Sequence, residues 1–164
     1  MIWYVALGSA VGGALRYLLG GWIQDRAGTS FPVQTLLINV TGSLLLGFIQ
    51  RYALETTAIS AEVRTLLTVG VCGGYTTFST FSFESVRMLE DGDWRGAALY
   101  IGLSVALSVG AALLGVMAAR ELLAVRGRIC SEATCTGWWG SGSSCGSTSA
   151  SATSGTASRS TRRS

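Results

Sequence analysis

The chain has 164 residues, of which 49% are hydrophobic and only 13% are charged. Soluble domains carry about 25% charged residues, so the composition excludes an ordinary soluble domain and indicates a protein embedded in a lipid bilayer. The net charge of +3 is small and spread out, which argues against a nucleic-acid partner, and the absence of histidine removes the usual general base and zinc ligand. We therefore expect a membrane protein that is not an enzyme.

Four stretches are long and apolar enough to cross a bilayer as helices. They are residues 2–22, 31–49, 63–86 and 96–119. The first holds one charge, Arg16, and is too long and too glycine-rich for a signal peptide. Ser60 precedes the third stretch and is expected to cap the start of a helix. The pattern predicts an all-α membrane protein with four transmembrane helices joined by short polar connections.

The composition changes after Arg128, where serine, threonine and glycine dominate. Such a segment cannot bury enough apolar surface to offset the entropy lost on ordering. We therefore divide the chain into a four-helix transmembrane domain, residues 1–126, and a disordered tail, residues 127–164. Three of the four cysteines lie in this tail, and their spacing fits neither a disulfide framework nor a metal site.

The arginines give no clear orientation in the membrane. Topology normally follows the side that holds more Lys and Arg. Before the tail, one side holds Arg51, Arg64, Arg120, Arg126 and Arg128, and the other holds Arg16, Arg26, Arg87 and Arg95. Either an arginine is assigned to the wrong side, or the chain inserts both ways and pairs as an antiparallel dimer. Gly8 with Gly12 and Gly70 with Gly74 suit close helix contacts, within one subunit or between two.

The third stretch contains the sequence GGYTTFSTF at residues 73–81. The pair Gly73 and Gly74 lets the helix open, and irregular backbone at membrane depth must be buried in protein or line a cavity. Freed carbonyl oxygens suit a hard cation such as Na⁺. The positive ring edges of Phe78 and Phe81 can contact a small anion, or the rings can simply pack. We predict that the third helix is broken at this Gly-Gly/Thr-rich motif and that the break lines a permeation site.

Other polar residues lie within the apolar stretches, where such groups are costly and suggest function. The amide of Asn39 can donate to an anion or bond across helices. Tyr100, Ser104 and Ser108 share one helical face and either form a polar track or bond back to their own backbone. Arg16 either snorkels to the interface or faces a water-filled vestibule.

Three motifs resemble the signature stretches of the Fluc/CrcB fluoride channel family. They are GGALRY at 12–17, NVTGSLLLGF at 39–48 and GGYTTFSTF at 73–81, in the order in which the family has them. The resemblance spans roughly residues 1–125. It implies a fluoride-selective channel of the plasma membrane that exports fluoride passively. It also implies an antiparallel, dual-topology homodimer with two pores, which would account for the near tie in arginines.

The resemblance also implies roles for individual residues. A structural Na⁺ at the centre of the dimer would be held by carbonyl oxygens at Gly73 and Thr76. The fluoride pathway would comprise Thr35, Asn39, Phe78, Phe81, Tyr100, Ser104 and Ser108. Arg16 would lie near the aqueous vestibule. Because fluoride is small and strongly hydrated, such a pore must replace its water with donors that bind weakly enough to release the ion.

Two other membrane functions compete with that of a fluoride channel. A small multidrug transporter is also a four-helix, dual-topology dimer, but it needs a membrane carboxylate to exchange protons for cationic drugs. The only acid within the four stretches is Glu84, near the end of the third. A non-transporting membrane assembly protein would explain the small-residue packing but not the polar break. Both alternatives fit the residues less well than the channel does.

Overall fold

A computed structural model describes residues 1–28, 31–56 and 59–136 of the chain. Every regular element in this part is helical, as the sequence predicts. The elements are α1 (Ile2–Ala27), α2 (Val33–Glu55), α3 (Ala61–Thr65), a π-helical segment (Leu66–Cys72), α4 (Gly73–Tyr75), α5 (Phe78–Glu90) and α6 (Trp94–Thr136). Within the described residues, three helices are long and apolar enough to cross a membrane, namely α1, α2 and α6.

Local sequence signals set several of these helix ends. α1 ends at Gly28, whose φ of 57° is the left-handed conformation that glycine adopts at little cost. Ser60 caps α3, as predicted, because its side chain accepts from the backbone N–H of Val63 at 3.4 Å. Asp93 holds the start of α6 by accepting from the N–H of Gly96 at 2.9 Å. Short capped connections therefore keep consecutive helices adjacent.

The small residues of α1 pack against the π-helical segment and α4 of the same subunit. A Cβ added to Gly8 would lie 2.7 Å from the Cα of Gly70, and one added to Gly74 would lie 2.8 Å from the Cα of Ser9. Distances this short leave no room for a side chain, so the two backbones touch. These glycines therefore serve contacts within one subunit, which is one of the two uses expected from their spacing.

α2 and α6 form a second closely packed pair. Gly47 lies against the backbone of Ala112, and Gly115 lies against the backbone of Leu44. Further along, the guanidinium of Arg126 donates to the hydroxyl of Tyr52 at 3.1 Å. Near the start of both helices, Thr35 and Tyr100 contact the same residue, Glu84, and near their other ends Tyr52 meets Arg126, so α2 and α6 run parallel. α1 runs antiparallel to α2, since Gly20 faces Gln34 and Ile38.

The helix break lies within the predicted Gly-Gly/Thr-rich motif, at its two threonines and not at the glycine pair itself. Gly73 keeps helical angles (φ −65°, ψ −38°). The chain becomes extended at Thr76 (φ −78°, ψ 157°) and Thr77 (φ −147°, ψ 116°) and resumes as helix at Phe78. The physical reason is that Gly74 is needed for close contact with α1, while Thr77 gains hydrogen bonds to Asn39 outside the helix.

The last helix extends past the boundary predicted from composition. α6 continues through Thr136, so residues 127–136 are helical in the structure although the sequence assigned them to a disordered tail. The apolar part of α6 is packed on α2 and is therefore already helical. Each residue that extends the helix beyond this part gains one backbone hydrogen bond without a new nucleation cost. The rest of the predicted tail, residues 137–164, lies outside the described residues.

Candidate functional site

Asn39 on α2 holds the break in place. Its Oδ1 accepts from the backbone N–H of Thr77 at 2.8 Å, and its Nδ2 donates to the carbonyl of Thr77 at 3.0 Å. The amide therefore replaces the backbone partners that Thr77 loses by leaving the helix. This contact is the cross-helix role weighed for Asn39. Because an amide nitrogen carries two N–H donors, one donor is still available to another acceptor.

Thr77 also starts the helix that follows the break. Its hydroxyl accepts from the backbone N–H of Thr80 at 3.2 Å, which is the N-cap arrangement. The same hydroxyl donates to the hydroxyl of Thr80 at 3.0 Å and lies 3.3 Å from that of Ser79. Thr77 is buried, with 7% of its surface exposed. The polar groups of the break are thus satisfied locally, which lets extended backbone persist between α4 and α5.

The break frees backbone carbonyl oxygens at the two positions predicted to hold Na⁺. In a continuous α-helix the N–H of Thr77 would bond the carbonyl of Gly73, but it donates to Asn39 instead. Similarly, the N–H of Thr80 donates to the hydroxyl of Thr77 and not to the carbonyl of Thr76. Neutral oxygens are suitable ligands for a hard cation. Among the described residues, no group of three or more His, Cys, Asp or Glu side chains could hold a metal.

A cavity of about 320 Å³ lies beside the break, between α2, α5 and α6. Five of the predicted pathway residues line it, together with Thr76: Asn39, Phe78, Phe81, Ser104 and Ser108. The hydroxyl oxygen of Ser104 is buried and makes no hydrogen bond within the part of the chain that the structure describes. It therefore does not bond back to its own helix, which was the alternative to a polar track. A buried hydroxyl without a partner is costly unless water or an ion contacts it.

Aromatic rings form a continuous row from the break to the start of α2. The ring centroids of Phe78 and Phe81 are 5.5 Å apart, and those of Phe81 and Tyr100 are 5.3 Å apart. Phe31 meets Tyr100 edge to face at 5.5 Å and 86°. Phe78 is 78% exposed, whereas Tyr100 is fully buried. The predicted ring pair is therefore in contact, and Phe78 presents its ring to the outside of the subunit.

Two predicted pathway residues bind a carboxylate that the sequence did not single out as part of the site. Thr35 donates its hydroxyl to Oε1 of Glu84 at 2.9 Å, and Tyr100 donates to Oε2 of Glu84 at 2.8 Å. Thr35 is 3% exposed. An ionisable residue within a membrane segment is by default a functional hypothesis, and Glu84 was the only acid in the four stretches. That rule was the signal that could have placed Glu84 in the site.

Glu84 also faces a second cavity, which we call the mouth cavity. It has a volume of about 370 Å³ and opens between the ends of α1, α2 and α5. Its polar lining comprises Gln24, Gln34, Glu84, Arg87 and Asp91. The Glu84 carboxylate therefore stands between an open polar cavity and the buried hydroxyls of Thr35 and Tyr100.

Arg16 lines a third cavity, on the other side of the break. This cavity has a volume of about 720 Å³ and also contacts Thr77 and Thr80. Arg16 is half-buried and shares the cavity with Asp25. A wide cavity next to the break, with Arg16, Gln24, Asp25 and Gln34 in its lining, suits an aqueous vestibule. The vestibule role of Arg16 remains a prediction, and the position of Arg16 in this cavity is consistent with it.

Residues 3–116 match the family model described as CrcB-like protein, Camphor Resistance (CrcB). The chain belongs to the CrcB family. The match includes every residue of the candidate site, from Arg16 to Ser108. It also confirms the family to which the three sequence motifs point.

Relatives of this CrcB-family chain carry the name Fluoride-specific ion channel FluC. One from Geobacter sulfurreducens is 48% identical over 118 residues, which are 72% of this chain and 95% of that protein. One from Rhizobium meliloti is 44% identical over 119 residues, 73% of this chain and 95% of that protein. A third, from Coxiella burnetii, is 43% identical over 119 residues, 72% of this chain and 96% of that protein.

The CrcB family is a transport family and not an enzyme family, as the names of these relatives indicate. Together with the apolar helices, the family identifies the chain as a multi-pass protein of the cell membrane. The relatives are matched almost end to end, while the matched region covers about three quarters of this chain. The candidate site therefore lies wholly within the shared part of the sequence.

Proposed function

We propose that this CrcB-family chain forms a fluoride-selective channel that lets fluoride leave the cell passively. One observation carries the proposal: polar groups follow one another from the mouth cavity to the break. Glu84 holds Thr35 and Tyr100, the unpartnered hydroxyl of Ser104 comes next, and Asn39 and Ser108 line the cavity beyond. The relatives named Fluoride-specific ion channel FluC supply the identity of the ion.

Conduction in this proposal depends on replacing the water around fluoride by weak neutral donors. The spare N–H of Asn39 and the hydroxyls of Ser104 and Ser108 can each donate one hydrogen bond. The positive edges of Phe78 and Phe81 add contacts without a full charge. Each contact stabilises the ion only modestly, which is what a pore requires if the ion is to move on.

A fourth, broken span completes the proposed subunit. The elements from Ala61 to Glu90 begin beside the amino end of α1 and end near the start of α6, so they run the length of the bundle. Irregular backbone at membrane depth is tolerated when it lines a cavity, and Thr76 and Thr77 do so. The subunit would then cross the membrane four times, with the five-to-four arginine division predicted from the sequence.

The assembly that we propose is an antiparallel homodimer inserted in both orientations. The near tie in arginines favours neither orientation over the other. Phe78, Phe83 and Val86 are 78%, 68% and 52% exposed in the single subunit, which leaves α5 an apolar face for a second copy or for lipid. Two subunits related by a two-fold axis would each contribute one pathway.

A structural Na⁺ between the two subunits is part of the same proposal. The freed carbonyls of Gly73 and Thr76 would supply two ligands from each copy. Hard cations take several oxygen ligands at once, so two carbonyls from one chain need the partner copy. When bound, the ion supplies a fixed positive charge that ties the broken segments together; Asn39 and Thr77 hold those segments in place within one subunit.

The test of this proposal is fluoride efflux from liposomes that contain the purified protein, with chloride efflux measured in parallel. Fluoride flux with little chloride flux is the expected result. Equal flux of both ions, or no fluoride flux, would refute the proposed function. Proton-coupled uptake of a cationic drug would instead support the multidrug-transporter alternative, and absence of any transport would support an assembly role; the names of the relatives favour neither.

A further inference from the structure

The mouth cavity has a charge balance that an anion pathway would have to overcome. Two carboxylates line it, those of Glu84 and Asp91. A fluoride ion approaching Glu84 is repelled by both, and the repulsion is stronger near protein than in bulk water. Arg87 is the one cation among the residues that line this cavity. The guanidinium of Arg87 is therefore the positive charge in this cavity that can offset the two carboxylates.

The position of Arg87 fits a role toward the cavity. Residues 84, 87 and 91 follow at helical spacings of three and four, so their side chains share one face at the end of α5. Arg87 makes no salt bridge and no side-chain hydrogen bond within residues 1–28, 31–56 and 59–136, where Arg51 and Glu55 form the only salt bridge. Its side chain is exposed to the cavity. The positive charge is thus not held in a structural ion pair.

We propose that Arg87 makes the mouth cavity favour anions over cations by offsetting the carboxylates of Glu84 and Asp91. The inference rests on the proposed fluoride channel and adds a residue that the pathway prediction did not contain. With Arg87 present, fluoride reaches the Glu84 end of the pathway. Without it, two uncompensated carboxylates concentrate cations in the cavity and lower the local concentration of fluoride.

The experiment measures initial fluoride efflux from liposomes that contain the full-length protein, at two ionic strengths set with an impermeant salt. The variants are Arg87→Gln, Arg87→Lys, and Arg87→Gln combined with Asp91→Asn. Arg95→Gln is the matched control, because Arg95 lies at the same end of the bundle but does not line the cavity. The two ionic strengths are about 0.01 M and about 1 M, at which the screening length is about 30 Å and about 3 Å.

We expect Arg87→Gln to lower fluoride efflux about threefold to tenfold at low ionic strength, which is at or below the lower limit of electrostatic effects on association rates because only one charge is removed. The loss should shrink at high ionic strength, and Arg87→Lys and the double variant should conduct close to the unaltered protein. Arg95→Gln should have no such effect. Chloride efflux should stay low throughout.

Three outcomes would overturn the inference. Equal efflux for Arg87→Gln and Arg95→Gln would show that the cavity charge does not matter. A loss in Arg87→Gln that neither salt nor Asp91→Asn relieves would show a structural role at the end of α5. Absence of fluoride efflux from the unaltered protein would instead refute the proposed function, and the inference with it.

Discussion

The amide of Asn39 and the backbone of Thr77 form two hydrogen bonds, at 2.8 Å and 3.0 Å, across residues 38 positions apart in the sequence. These bonds replace what the backbone loses where the helix breaks. They also leave one N–H of the amide for a passing anion. Asn39 therefore has a structural role and, in the proposed channel, can also serve the pathway, although the sequence presented the two as alternatives.

Asn39→Ala should lower both stability and fluoride flux. Removing two hydrogen bonds between membrane segments costs about 1–2 kcal/mol, because the N–H and carbonyl of Thr77 lose their partners. Thermal unfolding in detergent and fluoride efflux measure the two effects. We expect the proposed dimer to persist at low temperature.

Asn39→Asp removes the amide donor of this residue. The aspartate keeps an oxygen that accepts from Thr77 but lacks an amide donor for fluoride. Its second oxygen, however, faces the carbonyl of Thr77, to which the amide nitrogen donated at 3.0 Å. Because two acceptors then oppose each other, Asn39→Asp should gain little stability over Asn39→Ala and should conduct no better. Normal flux in both variants would show that Asn39 lies outside the pathway.

Phe81→Ala should reduce fluoride flux while the protein stays folded. The ring of Phe81 contacts those of Phe78 and Tyr100, and each such pair contributes about 0.5–1.5 kcal/mol. Its loss removes a positive ring edge from the cavity and leaves Tyr100 less firmly held. We expect at least an about tenfold drop in efflux, equivalent to about 1.4 kcal/mol.

Phe83→Ala is the matched control for the Phe81 variant. Phe83 lies on the same helix, is 68% exposed and does not line the cavity. Fluoride efflux measures conduction by both variants, and gel filtration shows whether each variant stays folded. Equal losses of flux in the two would mean that removing any aromatic ring from α5 impairs conduction, which contradicts a specific site.

Tyr100→Phe should lower fluoride flux without unfolding the protein. The substitution keeps the buried ring but removes the donor to Oε2 of Glu84, which leaves that carboxylate with Thr35 alone. One hydrogen bond contributes about 0.5–1.5 kcal/mol, so we expect an about threefold to tenfold loss in efflux. Tyr52→Phe loses the bond from Arg126, far from the cavity, and should conduct normally. If the two variants behaved alike, the contact between Tyr100 and Glu84 would have no part in conduction.

The residue types and their spacing predicted much of the site. Ser104 and Ser108 are one turn apart on an apolar helix, so their shared face followed from helical geometry. Phe78 and Phe81 were expected together for the same reason, and their rings touch. Such predictions concern residues of one element, whose relative positions are fixed by the helix itself.

Contacts between elements were harder to predict. Glu84 meets Thr35 across 49 positions in the sequence, and no local pattern signals that pairing. Glycine was ambiguous for a different reason, since it permits both an open helix and a close helix contact. Gly74 makes the close helix contact, against Ser9 of α1, and the break begins two residues later at Thr76.

The packing of α2 on α6 makes a prediction about Gly115 that needs no knowledge of function. A Cβ at this position would meet the backbone carbonyl of Leu44 and the N–H of Phe48, closer than real Cβ atoms approach. Backbone cannot move aside as a side chain can, so Gly115→Ala should destabilise the fold by about 1–3 kcal/mol, the usual cost of overpacking.

Gly102→Ala on the same helix is the control for Gly115→Ala, since nothing lies within 4 Å of a Cβ at Gly102. Because alanine favours helix over glycine, Gly102→Ala should unfold at the same temperature as the unaltered protein or slightly higher. Gly115→Ala should unfold at a clearly lower temperature, measured by thermal unfolding in the same detergent. If both variants were equally stable, α2 and α6 would not pack as closely as the structure places them, and the cavity between them would have a different shape.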